Sequence, residues 1–235
     1  MGGGQAMKEA TFEVTTMVEL EAAVARILQQ RATVPANRAL LVGISGIDGS
    51  GKGVVTGQLA ARLAQKGIAV ATINADGWLN LPHRRIDAER PAGNFYNDAI
   101  RFEEMFARLV IPLRETRSAC VQAQVAAETA SELRPHTYLY QDVDVILVEG
   151  IFLFKRALRP LFDLAFWIDC SFATALERAL TRRQEGLPPA ATIRAYDTIY
   201  FPAQRLHFER DEPRHAADLV IVNDLDLAVS AKAHR

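Results

Sequence analysis

Cysteine is scarce: Cys120 and Cys170 are the only two in 235 residues. Two thiols support neither a disulfide framework nor a zinc site, so both are expected to be small buried hydrophobes. An excess of one charge is missing as well. Twenty-seven Lys and Arg face 28 Asp and Glu, a formal net charge of −1. That balance offers no surface to nucleic acid or to an anionic membrane. No apolar run approaches the length of a membrane span. A signal-peptide pattern is absent, which favours a cytoplasmic protein. No Asn-Lys-x-Asp guanine motif occurs, which argues against a GTPase, and no internal repeat is visible. What remains is a chain 49% hydrophobic, enough to bury a sizeable core in one domain.

The most informative stretch is Leu40 to Thr56, LLVGISGIDGSGKGVVT. The apolar run Ala39 to Ile44 has strand length, and helical spacing follows from Val54 to Lys66. Between them, Gly46 to Gly51-Lys52 fits G-x-x-x-x-G-K, the phosphate-binding loop, in its strand-loop-helix context. Glycine lets the backbone take positive φ and approach an anion closely. Successive N–H groups and the helix N-terminus then face the phosphates. The backbone of Gly46, Asp48, Gly49, Ser50, Gly51, Lys52, Gly53 and Val54 is the expected nucleotide cradle, with Lys52 reaching the β and γ phosphates. One position departs from the motif. A Ser or Thr hydroxyl normally follows the lysine and binds Mg²⁺; here the residue is Gly53.

Further runs of strand length are Ile68–Ile73, Val143–Val148, Leu164–Ile168 and Asp218–Val222, separated by helical spacing. This alternation predicts an α/β fold with a five-stranded parallel sheet covered by helices on both faces. Right-handed crossovers put all carboxyl ends of such strands on one edge, where open α/β sheets bind ligands. Asp76 and Glu149 follow the second and third of these strands there. Asp76 has two readings: a base or metal-oriented carboxylate, or a simple Asp-Gly turn. Glu149 is the expected metal-directed acid. Residues 1–37 read as an extension with one helix, Met17–Leu28, capped by Thr15 or Thr16; residues 38–235 read as the main domain. Met1–Met7, rich in glycine, is expected to fray.

Leu81–Asn97 reads as a polar, proline-broken loop, with Asp98 capping a helix from Ala99 to Leu113. Ala119–Ala126 alternates weakly, as in a hairpin. A short helical piece is expected from Arg156 to Phe162. Ser171 caps a helix over Phe172–Gln184 that carries Arg178, Arg182 and Arg183. Arginines at i and i+4 share a face and could clamp phosphate oxygens, or simply form a solvated helix end. Ala191–Phe208 returns to helical spacing, with Pro202 expected to kink or divide it. His207 is more readily a structural histidine than a ligand.

Several segments together resemble the uridine kinase-like group of P-loop kinases, related to phosphoribulokinase and pantothenate kinase. They are ISGIDGSGK, Asp76-Gly77-Trp78-Leu79, PAGNFYNDAIRFEEM, VDVILVEGIFLF, LERALTRRQ and IYFPAQRLHFERDEPRHAADLVIVND. The resemblance spans roughly Arg38 to Asp224. It implies the three-layer P-loop NTPase fold with a lid helix, and transfer of phosphate from ATP, with Mg²⁺, to a hydroxyl of a small molecule. It also implies Asp76 as base, Glu149 at the metal, and the arginines of the lid meeting the phosphates. A homo-oligomer is compatible with it. The chain lacks the Tyr-Asp-Phe and His-x-Arg segments of a uridine pocket in Cys120–Arg134, so a nucleoside, a sugar or a related alcohol all fit as acceptor. The alternative reading, resting on Gly53, is a nucleotide-binding protein with weak or lost kinase activity.

Overall fold

The computed structural model describes residues 3–183 and 185–224, with side chains from Met17 onward. The chain runs α1 (Gly3–Arg31), β1 (Leu40–Gly46), α2 (Lys52–Gln65), β2 (Val70–Asn74), α3 (Pro82–Arg85), α4 (Pro91–Asp98), α5 (Phe102–Met105) and α6 (Ile111–Thr116). The hairpin β3 (Ala119–Val125) and β4 (Arg134–Tyr140) follows, then β5 (Val145–Gly150), β6 (Leu164–Asp169), α7 (Phe172–Arg182), α8 (Pro189–Ala195), α9 (Phe201–Asp211) and β7 (Leu219–Val222). Five strands pair in parallel in the order β2-β5-β1-β6-β7. β1 is central, and the chain leaves it first towards β2 and later crosses to β6 on its other side. That reversal opens a crevice at the carboxyl end of β1.

Every residue of β1 is buried, as a strand covered on both faces requires. One face packs on α1 and α2 through Leu20, Val24, Ile27, Val55, Leu59 and Leu63. The other packs on α4, α6 and α9 and on the apolar turn Ile151–Phe154, which together form the larger core. The result is the three-layer P-loop arrangement.

Several local expectations need correction. Helix α1 starts at Gly3, so Thr15 and Thr16 lie within it rather than capping it; no proline or glycine interrupts Gln5–Arg31. Pro91 opens a helix inside the presumed loop, so Asp98 ends α4 instead of capping the next helix. The segment Arg156–Phe162 holds turns and one 3₁₀ turn at Arg159–Leu161. Cys120 is exposed and Cys170 half-exposed. Cys120 sits on an alternating two-stranded hairpin, where every second side chain faces away from the core. Pro202 does divide its helix, by a π turn at Tyr196–Tyr200. Pro112 is preceded by a second π turn, Phe106–Val110. A proline without an N–H, whose ring crowds the carbonyl four residues back, favours this wider turn.

The amino edge of the sheet is held by Asp163, just before β6. Its carboxylate accepts from Arg38 at 2.9 and 3.0 Å, from Arg114 at 3.0 Å and from the Leu41 N–H at 2.9 Å. Burial alone would raise its pKa, but the bonds from Arg38 and Leu41 and the charge of Arg114 hold it below the usual carboxylate value. This contribution to stability is complete above the ordinary carboxylate range and is lost as pH falls through the depressed folded value. Asp163→Ala strands two half-buried guanidinium groups and should cost about 3 kcal/mol. Urea unfolding of the variant at neutral pH measures it, and the gap from wild type should close in acid.

Candidate functional site

The glycine loop turns because Gly49 and Gly51 take φ of 76° and 85°, a region other residues seldom enter. A Cβ at Gly49 would also lie 2.5 Å from the Ala175 carbonyl of α7, so glycine is needed for packing as well. The carbonyls of the loop are bound from outside. Asn223, just past β7, donates its side-chain amide to the Ser50 carbonyl at 2.7 Å. Arg178 donates to the Ser50 carbonyl at 3.3 Å, the Gly49 carbonyl at 3.4 Å and the Asn223 carbonyl at 3.0 Å. With its carbonyls held there, the loop keeps the N–H groups of Asp48, Gly49 and Gly51 free of protein acceptors among the described residues. Such N–H groups at the start of α2 form an anion cradle. Gly46 ends β1 beneath it, and Val54 is exposed on the first turn of α2.

Lys52 is buried and donates to the Ile47 carbonyl at 2.9 Å. Parallel pairing sets Glu149 beside Ile44 on one side and Asn74 on the other. Asp76 follows β2 in a 3₁₀ turn, its N–H capped by the Asn74 side chain at 2.7 Å. Asp76 thus sits in a capped turn at the carboxyl end of β2. Burial raises the pKa of both Asp76 and Glu149; Lys52 opposes this, while the charge of Asp48 adds to the rise at Asp76 and that of Asp76 to the rise at Glu149. Neither carboxylate accepts a hydrogen bond through its side chain among the described residues.

Two under-compensated carboxylates suit a hard cation. Mg²⁺ takes one or two protein carboxylates together with waters and nucleotide phosphates. A Cβ at Gly53 would lie 3.5 Å from the Glu149 carboxylate, so a serine or threonine there would face the same spot.

Arg182, at the end of α7, donates to Asp48 at 2.9 Å, to Glu185 at 3.1 Å and to the Tyr196 hydroxyl at 3.1 Å. Tyr196 in turn donates to Asp48, at 2.6 Å, and also lies 2.9 Å from Glu185. Burial raises the Asp48 pKa, but Arg182 and Lys52 outweigh it and keep the carboxylate ionised. The lid segment α7–α8 is thus latched onto the loop. Lys52, Asp48, Asp76, Glu149 and Arg182 meet at one point. Arg178 braces the loop from outside, and Arg183 is exposed in a left-handed cap, its side chain without a hydrogen bond among the described residues. Gln184 lies outside the described residues.

Sequence reasoning passed over Asn223, Tyr196 and Glu185. Asn223 was findable, since it follows β7 as Asp76 follows β2. Tyr196 and Glu185 carry no motif, and only the folded lid brings them to Asp48.

The family model "Methylmalonyl Co-A mutase-associated GTPase MeaB" matches residues 12–152, which hold the glycine loop, Asp76 and Glu149 but not the lid. The uridine kinase of Staphylococcus carnosus is 30% identical over 195 residues, covering 79% of this chain and 88% of that protein. The chain belongs to the uridine kinase-like group of P-loop kinases. A "possible uridine kinase" from Bacillus stearothermophilus shares the fold, with a TM-score of 0.67 at 21% identity over 87% of this chain and 98% of its own. D-glycerate 3-kinase from Cryptococcus neoformans shares it too, with a TM-score of 0.54 at 15% identity over 80% and 87%.

Tyr196→Phe keeps the ring and removes the hydroxyl between two carboxylates. Losing hydrogen bonds to charged groups should cost about 2 kcal/mol. Thermal unfolding reads the loss, and amide exchange should quicken in α8 while β1 stays protected.

Proposed function

We propose that this protein is an ATP-dependent kinase that moves the γ-phosphate to a hydroxyl of a small molecule, a nucleoside, sugar or related alcohol. The observation that carries this reading is the placement of Asp76. Its carboxylate shares the carboxyl edge of the sheet with Lys52 and the glycine loop, and it accepts no hydrogen bond among the described residues. The loop amides and Lys52 hold the β and γ phosphates. Asp76 takes the proton of the acceptor hydroxyl as that oxygen attacks phosphorus. Its raised pKa makes it a better base than a solvated carboxylate. Arg182 and the latched lid keep water from competing with the acceptor. Mg²⁺ bound with ATP would neutralise phosphate charge, held on the protein side by Glu149 and Asp76.

A second reading, nucleotide binding with weak or lost transfer, is favoured by Gly53 alone. The MeaB match is met by the nucleotide itself, through ATP and GTP assayed side by side.

Two outcomes separate these readings. Asp76→Asn should lower kcat by about 10²–10⁴-fold, the worth of a positioned base, with ATP affinity kept. Wild-type turnover should fall as pH drops through the raised Asp76 value, and the variant should lack that acid limb. Near-full kcat in the variant returns Asp76 to the turn reading alone.

Gly53→Ser restores the missing hydroxyl opposite Glu149. It should lower the Mg²⁺ concentration for half-maximal turnover at saturating ATP. Superimposed Mg²⁺ curves mean the hydroxyl is irrelevant here. Turnover that appears only in the variant supports the second reading.

A further inference from the structure

Beside Asp76 lies a cavity of about 310 Å³, lined by Asp76, Gly77, Leu79, Ala126, Ala127, Glu128 and Thr129. The hairpin supplies its far wall, tied to the Asp76 turn by the Ala126 N–H donating to the Gly77 carbonyl at 3.2 Å. The lid loop closes against it, since a Cβ at Gly186 would lie 3.1 Å from the Thr129 methyl. Inside, Glu128 is held by the buried Arg85, which donates to its Oε1 at 2.9 Å and to its backbone carbonyl. Oε2 of Glu128 accepts nothing among the described residues.

We propose that this cavity takes an uncharged polyhydroxy acceptor, a sugar or polyol, and that Glu128 is the residue that selects it. The inference rests on the kinase reading and names its acceptor class. Glu128 is paired with Arg85, and Asp76 shares the charge of Lys52 with Glu149. An acceptor carboxylate or phosphate would meet two carboxylates, and an ammonium would meet Arg85 at Glu128 and Lys52 at Asp76. A planar base finds no aromatic face in the lining, because Trp78 is fully buried and stacked on Tyr138. What the cavity offers is hydrogen-bonding capacity at fixed points: Asp76 for the reacting hydroxyl, with Oε2 of Glu128 for its neighbours. A ligand with several hydroxyls satisfies all of them.

The test measures ADP release with Mg-ATP against ribose, fructose, glycerate, uridine and ethanolamine. A neutral sugar should be the preferred acceptor. Glu128→Ala should raise its KM at least about tenfold, the worth of a hydrogen bond to a charged group, with the ATP KM unchanged. Because that variant leaves Arg85 unpaired, Glu128→Gln is measured beside it, and it should also raise the sugar KM. Preference for glycerate, uridine or ethanolamine overturns the inference and leaves the kinase reading standing. So does an unchanged sugar KM in both variants. ATP binding without transfer to any of the five overturns both.

Discussion

One ammonium group, that of Lys52, sits among three carboxylates, and much of the molecule is arranged around that imbalance. Asp48 comes from the loop, Asp76 from the end of β2 and Glu149 from the end of β5. They converge because parallel strands end on one edge, and because β1 lies directly beside β5. Asp48 is compensated, with Arg182 and Tyr196 bonded to it. Asp76 and Glu149 share what Lys52 can offer, and burial lifts both above the ordinary carboxylate range. A site with unmatched negative charge beside an anion cradle is arranged for a cation and a polyphosphate arriving together.

The glycine loop has little side chain with which to hold its own shape, so the shape is imposed from outside. Asn223 and Arg178 take its carbonyls, while Ala175 of α7 packs where a Cβ would be. Strand β7 and the lid helix are thereby part of the nucleotide site although neither carries its motif. The same contacts make the loop sensitive to where α7 lies. A lid that shifts must release the Gly49 and Ser50 carbonyls, so loop geometry and lid position are coupled through Arg178.

Fold class was legible because five buried strands leave short apolar runs that no helix face imitates, and because G-x-x-x-x-G-K fixes its own context. Asp76 and Glu149 were legible as strand-end acids. The lid network was not. Arg182 was found as a charge on a helix, but its partners are 134 residues away at Asp48 and 14 residues away at Tyr196, and spacing alone does not join them. The helix boundaries near Asp98 misled because Asp before an apolar run imitates an N-cap, while Pro91 at the first position of α4 was the stronger start signal. Glu128 lies in a stretch without clear periodicity, and its meaning comes from Arg85, 43 residues earlier.

On the kinase reading, Arg182 cannot both hold the latch and serve a phosphate without exchanging partners. Its guanidinium now satisfies Asp48, Glu185 and Tyr196, and it is about one-third exposed, so water already reaches part of it. An arriving phosphate offers the same planar, charge-assisted geometry as a carboxylate. Exchange swaps bonds of one kind, and it takes from the buried Glu185 its ion pair among the described residues. The Tyr196 hydroxyl, within reach of both carboxylates, has one proton to give to Asp48 or Glu185. Tyr196 sits at the first position of the π turn that precedes Pro202. Such turns recur at functional sites. Here the turn carries the hydroxyl that bridges loop and lid, so the proline that divides the helix also fixes where the latch is anchored.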